Sequence, residues 1–273
     1  MDTETRARRH QAGWRSISET FPLLDQWRER SKKPEQPEQH SELEIDSRIW
    51  QHHPPYEVAR QSLIAAVQHL NLARTAIVAR ELFPTAHFTV LRGALVGSAQ
   101  AVWLLISDDR SERQQRAFRI IDEWYQRRIQ YNEAIDPSNL PERDQHRLRD
   151  QTQFLKRRRR DARRRWQRTG TLTDAERPTV TQIIGRAASE VFTEPAEQQA
   201  VRLLWKSMSG DAHALGWSVA LRGDGWTRDS DGLGVATAGG DIFDIAQPYI
   251  ASFRLLRRGW SLFDRRAEGS DVC

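Results

Sequence analysis

One cysteine, Cys273, stands in 273 residues. Neither an internal disulfide nor a cage of thiolate metal ligands can be built from it, which fits a reducing compartment, the cytoplasm. Long apolar runs are also missing. The longest nearly unbroken one, Ala94 to Ile106, holds Ser98 and Gln100 and falls short of the roughly 20 residues a spanning helix needs, so no membrane segment is expected. Arg6, Arg8 and Arg9 are followed by no apolar stretch, which argues against a secretory signal. Catalytic signatures are scarce too. There is no Gly-x-Ser-x-Gly, no P-loop and no His-Glu-x-x-His, and Gly232-Leu233-Gly234 follows no predicted strand, the setting a phosphate-binding glycine loop requires. His52, His53, His69, His87 and His146 do not pair at ligand spacing with each other or with carboxylates, so neither a metal nor a cofactor is expected. Period-two alternation of useful length is absent, which leaves no sheet core.

What is present is helical. Apolar residues make up 38% of the chain and include ten Trp and nine Phe, enough for a core. Leu63, Val67, Leu70, Ile77 and Val78 mark one amphipathic helix between Tyr56 and Phe83, stopped by Pro84. Phe88, Leu91, Leu95, Ala99, Val102 and Ile106 mark a second, from about Ala86, whose small residues Gly93, Ala94, Gly97 and Ser98 admit a close neighbour. Ser107-Asp108-Asp109 caps a third, striped by Phe118, Ile121, Trp124, Tyr125 and Ile129. Thr173 to Glu176 fits a capping box before a helix carrying Ile183, Ile184 and Ala187, and Thr193-Glu194-Pro195 starts the next. Ser209-Gly210 reads as a bend. Leu233 to Thr237 has room for a short extended pair, and Tyr249, Phe253, Leu256, Trp260 and Phe263 form the packing face of a last helix. The fold class read from this is all-α: an up-and-down bundle of five or six main helices, with a projecting basic helical hairpin and a mobile N-terminal arm. Residues 1–50 are the polar arm and its Pro-rich linker, 51–273 the bundle domain, and 141–168 a basic helix inserted in it.

The net charge of +5 is local. Between Arg143 and Arg168 twelve Lys or Arg face three Asp, so this segment carries more than the whole excess and the remaining residues are net acidic. Lys156, Arg157, Arg158, Arg159, Arg160, Arg163, Arg164 and Arg165 spread over all sides of a helix whose apolar stripe, Leu148, Leu155 and Ala162, is narrow. Guanidinium forks suit phosphate, which makes RNA a candidate partner and an acidic protein another. The plainer alternative is a solvated face whose stems shield Leu155 and Trp166.

A second polar cluster is Lys206, Ser209, Asp211 and His213. Lys206 has the chemistry to hold a phosphate, Asp211 to orient an imidazole, and His213 to move a proton at neutral pH. The same residues also serve to hydrogen-bond a neighbouring helix and fix its packing. Phe88 to Leu95 with Ala101 to Leu105, and then Ser209-Gly210-Asp211-Ala212-His213-Ala214-Leu215-Gly216-Trp217, resemble a family of actinobacterial all-helical proteins that is distantly similar to the HEPN superfamily. The resemblance spans roughly residues 56–265 in layout. It implies a homodimer and, in active members, metal-independent RNA cleavage by an Arg and a His separated by four to six residues. Here Lys206 occupies the Arg position ahead of His213. Lys neutralises a phosphate without gripping it bidentately, which favours a non-enzymatic RNA- or acidic-protein-binding relative over a ribonuclease of the toxin or defence type. Arg92 and Arg202 are the substitutes to look for near His213. A DNA-associated regulator is a further alternative, although no helix-turn-helix is visible.

Overall fold

Proline stops and polar caps divide the chain into helices. The computed structural model describes residues 3–168, 178–222, 226–228, 230–231, 234–236 and 240–269. Along them run α1 (Thr3–Ser18), α2 (Phe21–Ser31), α3 (Glu42–Ser47), α4 (Pro55–Val78), α5 (Ala86–Leu105), α6 (Arg110–Glu133), α7 (Glu142–Gln167), α8 (Val180–Val191), α9 (Pro195–Ala212), α10 (Trp217–Ala220) and α11 (Ile242–Ala267). The only strands among these residues, β1 (Trp226–Arg228) and β2 (Gly234–Ala236), pair antiparallel with Trp226 opposite Ala236. The described residues are thus predominantly helical, save for loops and the small extended pair where the sequence leaves room for one. Asp109 caps α6 by accepting from the Ser111 N–H at 2.9 Å. The capping box found ahead of α8 is Thr179 with Gln182; the one expected at Thr173 to Glu176 lies outside the described residues.

The chain divides into two compact units. One takes Met1–Glu35, Gln61–Trp103 and Pro178–Leu262, the other Gln36–Arg60, Leu104–Arg177 and Phe263–Cys273, so α4, α5 and α11 each contribute to both. In the first unit Leu91, Leu95, Ala99 and Val102 of α5 are fully buried, as are Leu63 and Leu70 of α4 and Tyr249 and Leu256 of α11. α5 and α4 approach closely at Gly97, where a β-carbon would stand 2.6 Å from the Ser62 carbonyl oxygen. α5 is long and apolar enough to cross a membrane, but most of it is buried within the structure.

The expectation of a mobile N-terminal arm is corrected. Ile17 and Leu24 are fully buried, Trp27 packs with its ring centroid 5.3 Å from that of Phe253, and Arg74 holds Asp25 at 2.9 Å. The apolar residues of this segment turn inward from two successive helices, Ile17 from α1 and Leu24 and Trp27 from α2, while its polar residues lie on the outward sides. Val78, placed in the α4 stripe by spacing, is instead exposed, because the helix ends there.

The second unit is organised by buried arginine. Asp46 of α3 is fully buried and accepts from Arg113 Nε at 2.6 Å and Nη2 at 3.2 Å. Arg113, itself only 2% exposed, also donates to the Ser107 and Asp108 carbonyls. Arg266 of α11, 1% exposed, donates to the Leu105 carbonyl at 2.6 Å and to the Asp108 carboxylate at 2.7 Å, and pairs with Glu42. Removing one partner of such a pair leaves a buried charge under-compensated, at a cost of about 3–5 kcal/mol when nothing else neutralises it and toward the low end here, where Arg113 keeps Glu42. Asp46→Ala is therefore expected to lower the unfolding free energy by about 3 kcal/mol. Replacing both groups, as in Asp46→Leu with Arg113→Met, also strands the Ser107 and Asp108 carbonyls that Arg113 serves, and is expected to cost more than the single change. Urea denaturation of the three proteins measures both effects.

Candidate functional site

α7 lies antiparallel on α6 in the second unit. Near one end Asn132 Nδ2 donates to Thr152 Oγ1 at 3.1 Å and Lys156 Nζ stands 2.7 Å from Glu133. Further along, Arg159 and Arg163, one helical turn apart, both donate through Nε and Nη2 to the buried carboxylate of Asp122. Burial pushes the Asp122 carboxyl up, but the guanidiniums of Arg163 and Arg159 outweigh it and hold the group well below the usual carboxylate range. Arg158 hydrogen-bonds the His52 ring and lies over Phe154, 5.1 Å from its centroid. Ala162 is the buried centre of this helix, and Trp166 stacks on Phe118 at 6.2 Å.

The arginine run is thereby divided. Arg159 and Arg163 face α6 and are neutralised; Lys156 and Arg158 have protein partners; Arg157, Arg160, Arg164 and Arg165 are exposed and make no hydrogen bond or ion pair to the described residues. Arg164 and Arg165, with Arg168 one turn on, line a cleft of about 370 Å³ whose other wall is Arg48, Trp50 and His52. Arg48 is engaged by Glu44, and Asp161 is the only acid among the lining residues. Three arginines without a described acidic partner on one wall make this a place for an anion with several oxygens. Sequence reading finds the arginines. It misses the wall at Arg48 to His52, which is more than a hundred residues away along the chain and carries no motif.

The four residues around His213 do not assemble. Asp211 turns inward, accepting from Ser218 Oγ at 3.0 Å and from Arg222 at 2.5 and 3.0 Å. Arg222 also donates to the Pro84 carbonyl and lies 3.7 Å from the Phe88 ring centroid. Ser209 accepts from Arg92 Nε at 3.2 Å, and that guanidinium stacks over Trp205. Arg202 is turned to the Gln198 carbonyl. His213 and Lys206 are exposed, and neither side chain meets a described partner. The expected bend at Ser209-Gly210 is absent: α9 runs through both, and the reversal comes after it, at Ala214, with φ 54. Gly210 is small for another reason, since a β-carbon there would stand 2.9 Å from the Trp217 ring. Asp211 and Ser209 are thus packing residues, and His213 is not.

Two outcomes follow from these contacts. A depressed carboxyl contributes stability that is complete above its unfolded pKa and drains away as pH falls toward its folded one. Wild type is expected to lose the Asp122 contribution only in acid, below about pH 4. Asp122→Asn should lack it already at pH 7, by about 2 kcal/mol, and show a shallower acid limb in urea titrations run from pH 7 to pH 2. His213→Ala should change stability by less than about 0.5 kcal/mol, as befits an exposed side chain with no partner among the described residues. Comparison of the chain with protein-family models, with curated proteins and with solved structures returned no match.

Proposed function

We propose that this chain is a non-enzymatic, HEPN-like helical module of the cytoplasm that acts as a homodimer and binds RNA through the C-terminal half of α7. In this reading the α6 and α7 pair projects from an up-and-down bundle. The observation that carries the RNA assignment is the cleft in which Arg164, Arg165 and Arg168 lie opposite Arg48, Trp50 and His52, with none of these three arginines at the end of α7 held by a described carboxylate. Phosphate suits such a site because its oxygens accept several charge-assisted hydrogen bonds from guanidinium forks. An acidic protein fits less well, since a stable protein contact wants apolar anchors at its centre and this cleft offers mainly polar walls. The net acidic remainder of the chain disfavours indiscriminate coating of nucleic acid. The ribonuclease reading draws less support from the geometry: Asp211 serves Arg222 and leaves His213 without an orienting group. The DNA-regulator reading draws none from any motif.

Retardation of labelled single-stranded RNA in gels, in EDTA and at several salt concentrations, tests the proposal. Wild type should bind with an affinity that falls steeply with salt. Arg164→Glu combined with Arg165→Glu should weaken binding at least about tenfold and flatten the logarithmic salt slope by about 1.4, the share of two phosphate contacts on a single strand. Unchanged retention in that variant would overturn the assignment. RNA cleavage in EDTA that disappears in His213→Ala would replace it with the ribonuclease.

A further inference from the structure

A groove in the first unit, far from the arginine run in sequence, has the makings of a small-molecule site. It measures about 860 Å³ and runs between α1, which supplies His10 and Trp14, and the end of α4 with the segment after it, which supplies Ile77, Val78, Arg80 and Leu82. That size falls among ligand pockets, and apolar walls with a few convergent polar groups are their usual make-up.

The informative residue is Arg80. Its φ is 62, in the left-handed region, where the chain reverses after α4 with the Arg80 N–H on the Ile77 carbonyl and the Glu81 N–H on that of Ala76. Glycine fills such a position without strain, and a residue with a β-carbon is strained there by about 1 kcal/mol. No contact to a described residue offsets this: the Arg80 guanidinium is exposed and makes no hydrogen bond or ion pair among the described residues. Strain held at a position with no return among the described residues points to a task for the side chain outside the fold. Trp14 is 39% exposed and meets Phe21 only edge-on, and His10 sits one turn before it on the same side of α1. The groove adjoins a second cleft that includes His10, Arg6 and Asp241; the Asp241 carboxylate is already committed to the Phe243 N–H at 2.8 Å.

We propose that this groove binds a small planar ring bearing an anionic group, the ring against the Trp14 indole and the anion held by Arg80 and His10. Nucleoside monophosphates and aryl carboxylates share that chemistry. Isothermal titration of the full chain with adenosine monophosphate and with indole-3-carboxylate distinguishes the two sources; adenosine and inorganic phosphate, each lacking one half, should bind more weakly. Arg80→Gly is the discriminating variant, because it removes the guanidinium and relieves the backbone. It should weaken the bound ligand at least about tenfold, the size of one charge-assisted hydrogen bond, while Tm stays level or rises. Trp14→Leu should weaken it as well. Arg164→Gln with Arg165→Gln, which disables the RNA cleft, should leave it unchanged. No binding of either ligand to wild type, equal binding to Arg80→Gly, loss of binding in the Arg164/Arg165 variant, or a fall in Tm on Arg80→Gly would each overturn the site.

Discussion

Carbonyl groups at the corner between α5 and α6 have no helical partner, and two buried guanidiniums take them. Arg113 serves Ser107 and Asp108, and Arg266 serves Leu105 and Ile106. Each brings acids with it: Asp46 and Glu42 for Arg113, Asp108 and Glu42 for Arg266. A leucine in either place would fill the volume and leave the carbonyls stranded, and an unmade buried hydrogen bond costs more than a made one contributes. The corner therefore fixes where α6 begins. The position of Asp122 along α6, and so the side of α7 that turns inward, follows from that start.

The second consequence is a division of labour along one helix. A run such as Lys156 to Arg165 carries one kind of side chain, yet its members end in different circumstances. Two are bound to a single carboxylate, one to a histidine, one to a glutamate, and four face water. The pairing at Asp122 is also what makes α7 tenable on α6. Its apolar stripe is narrow, with Ala162 the one fully packed residue, and the ion pairs supply what the stripe lacks.

How much of this is legible in the sequence depends on whether the signal is periodic. Tyr249, Phe253, Leu256 and Trp260 repeat at three and four residues and are buried; so are Phe118, Ile121, Tyr125 and Ile129. Caps and prolines place the ends of α5 to α7 and α9 within a few residues. Partnerships between single charges leave no such trace. Asp122 is one acid in a polar helix, and nothing beside it says that Arg159 and Arg163 will find it. Asp211 stands two residues from His213, which invites a catalytic reading, but its partner is Arg222, reached only once α10 has turned the chain back. Gly210 shows the same limit, since glycine as a hinge and glycine as a gap for Trp217 look alike until the neighbour is known. The N-terminal segment is polar on average, and an average conceals that Ile17, Leu24 and Trp27 are all buried.

The arginines of α7 that no described acid neutralises also bear on how fast any polyanion would reach this surface. Most of the chain is net acidic, while one short stretch is strongly cationic. An approaching polyanion is repelled by the former and drawn to the latter, so its diffusion is biased toward productive encounters; such steering raises association rates by roughly 10 to 1,000-fold and fades as salt shortens the Debye length. The same segregation acts between copies of the chain. In dilute buffer the cationic stretch of one molecule and the acidic surface of another attract, and that self-attraction competes with any polyanion until salt screens it.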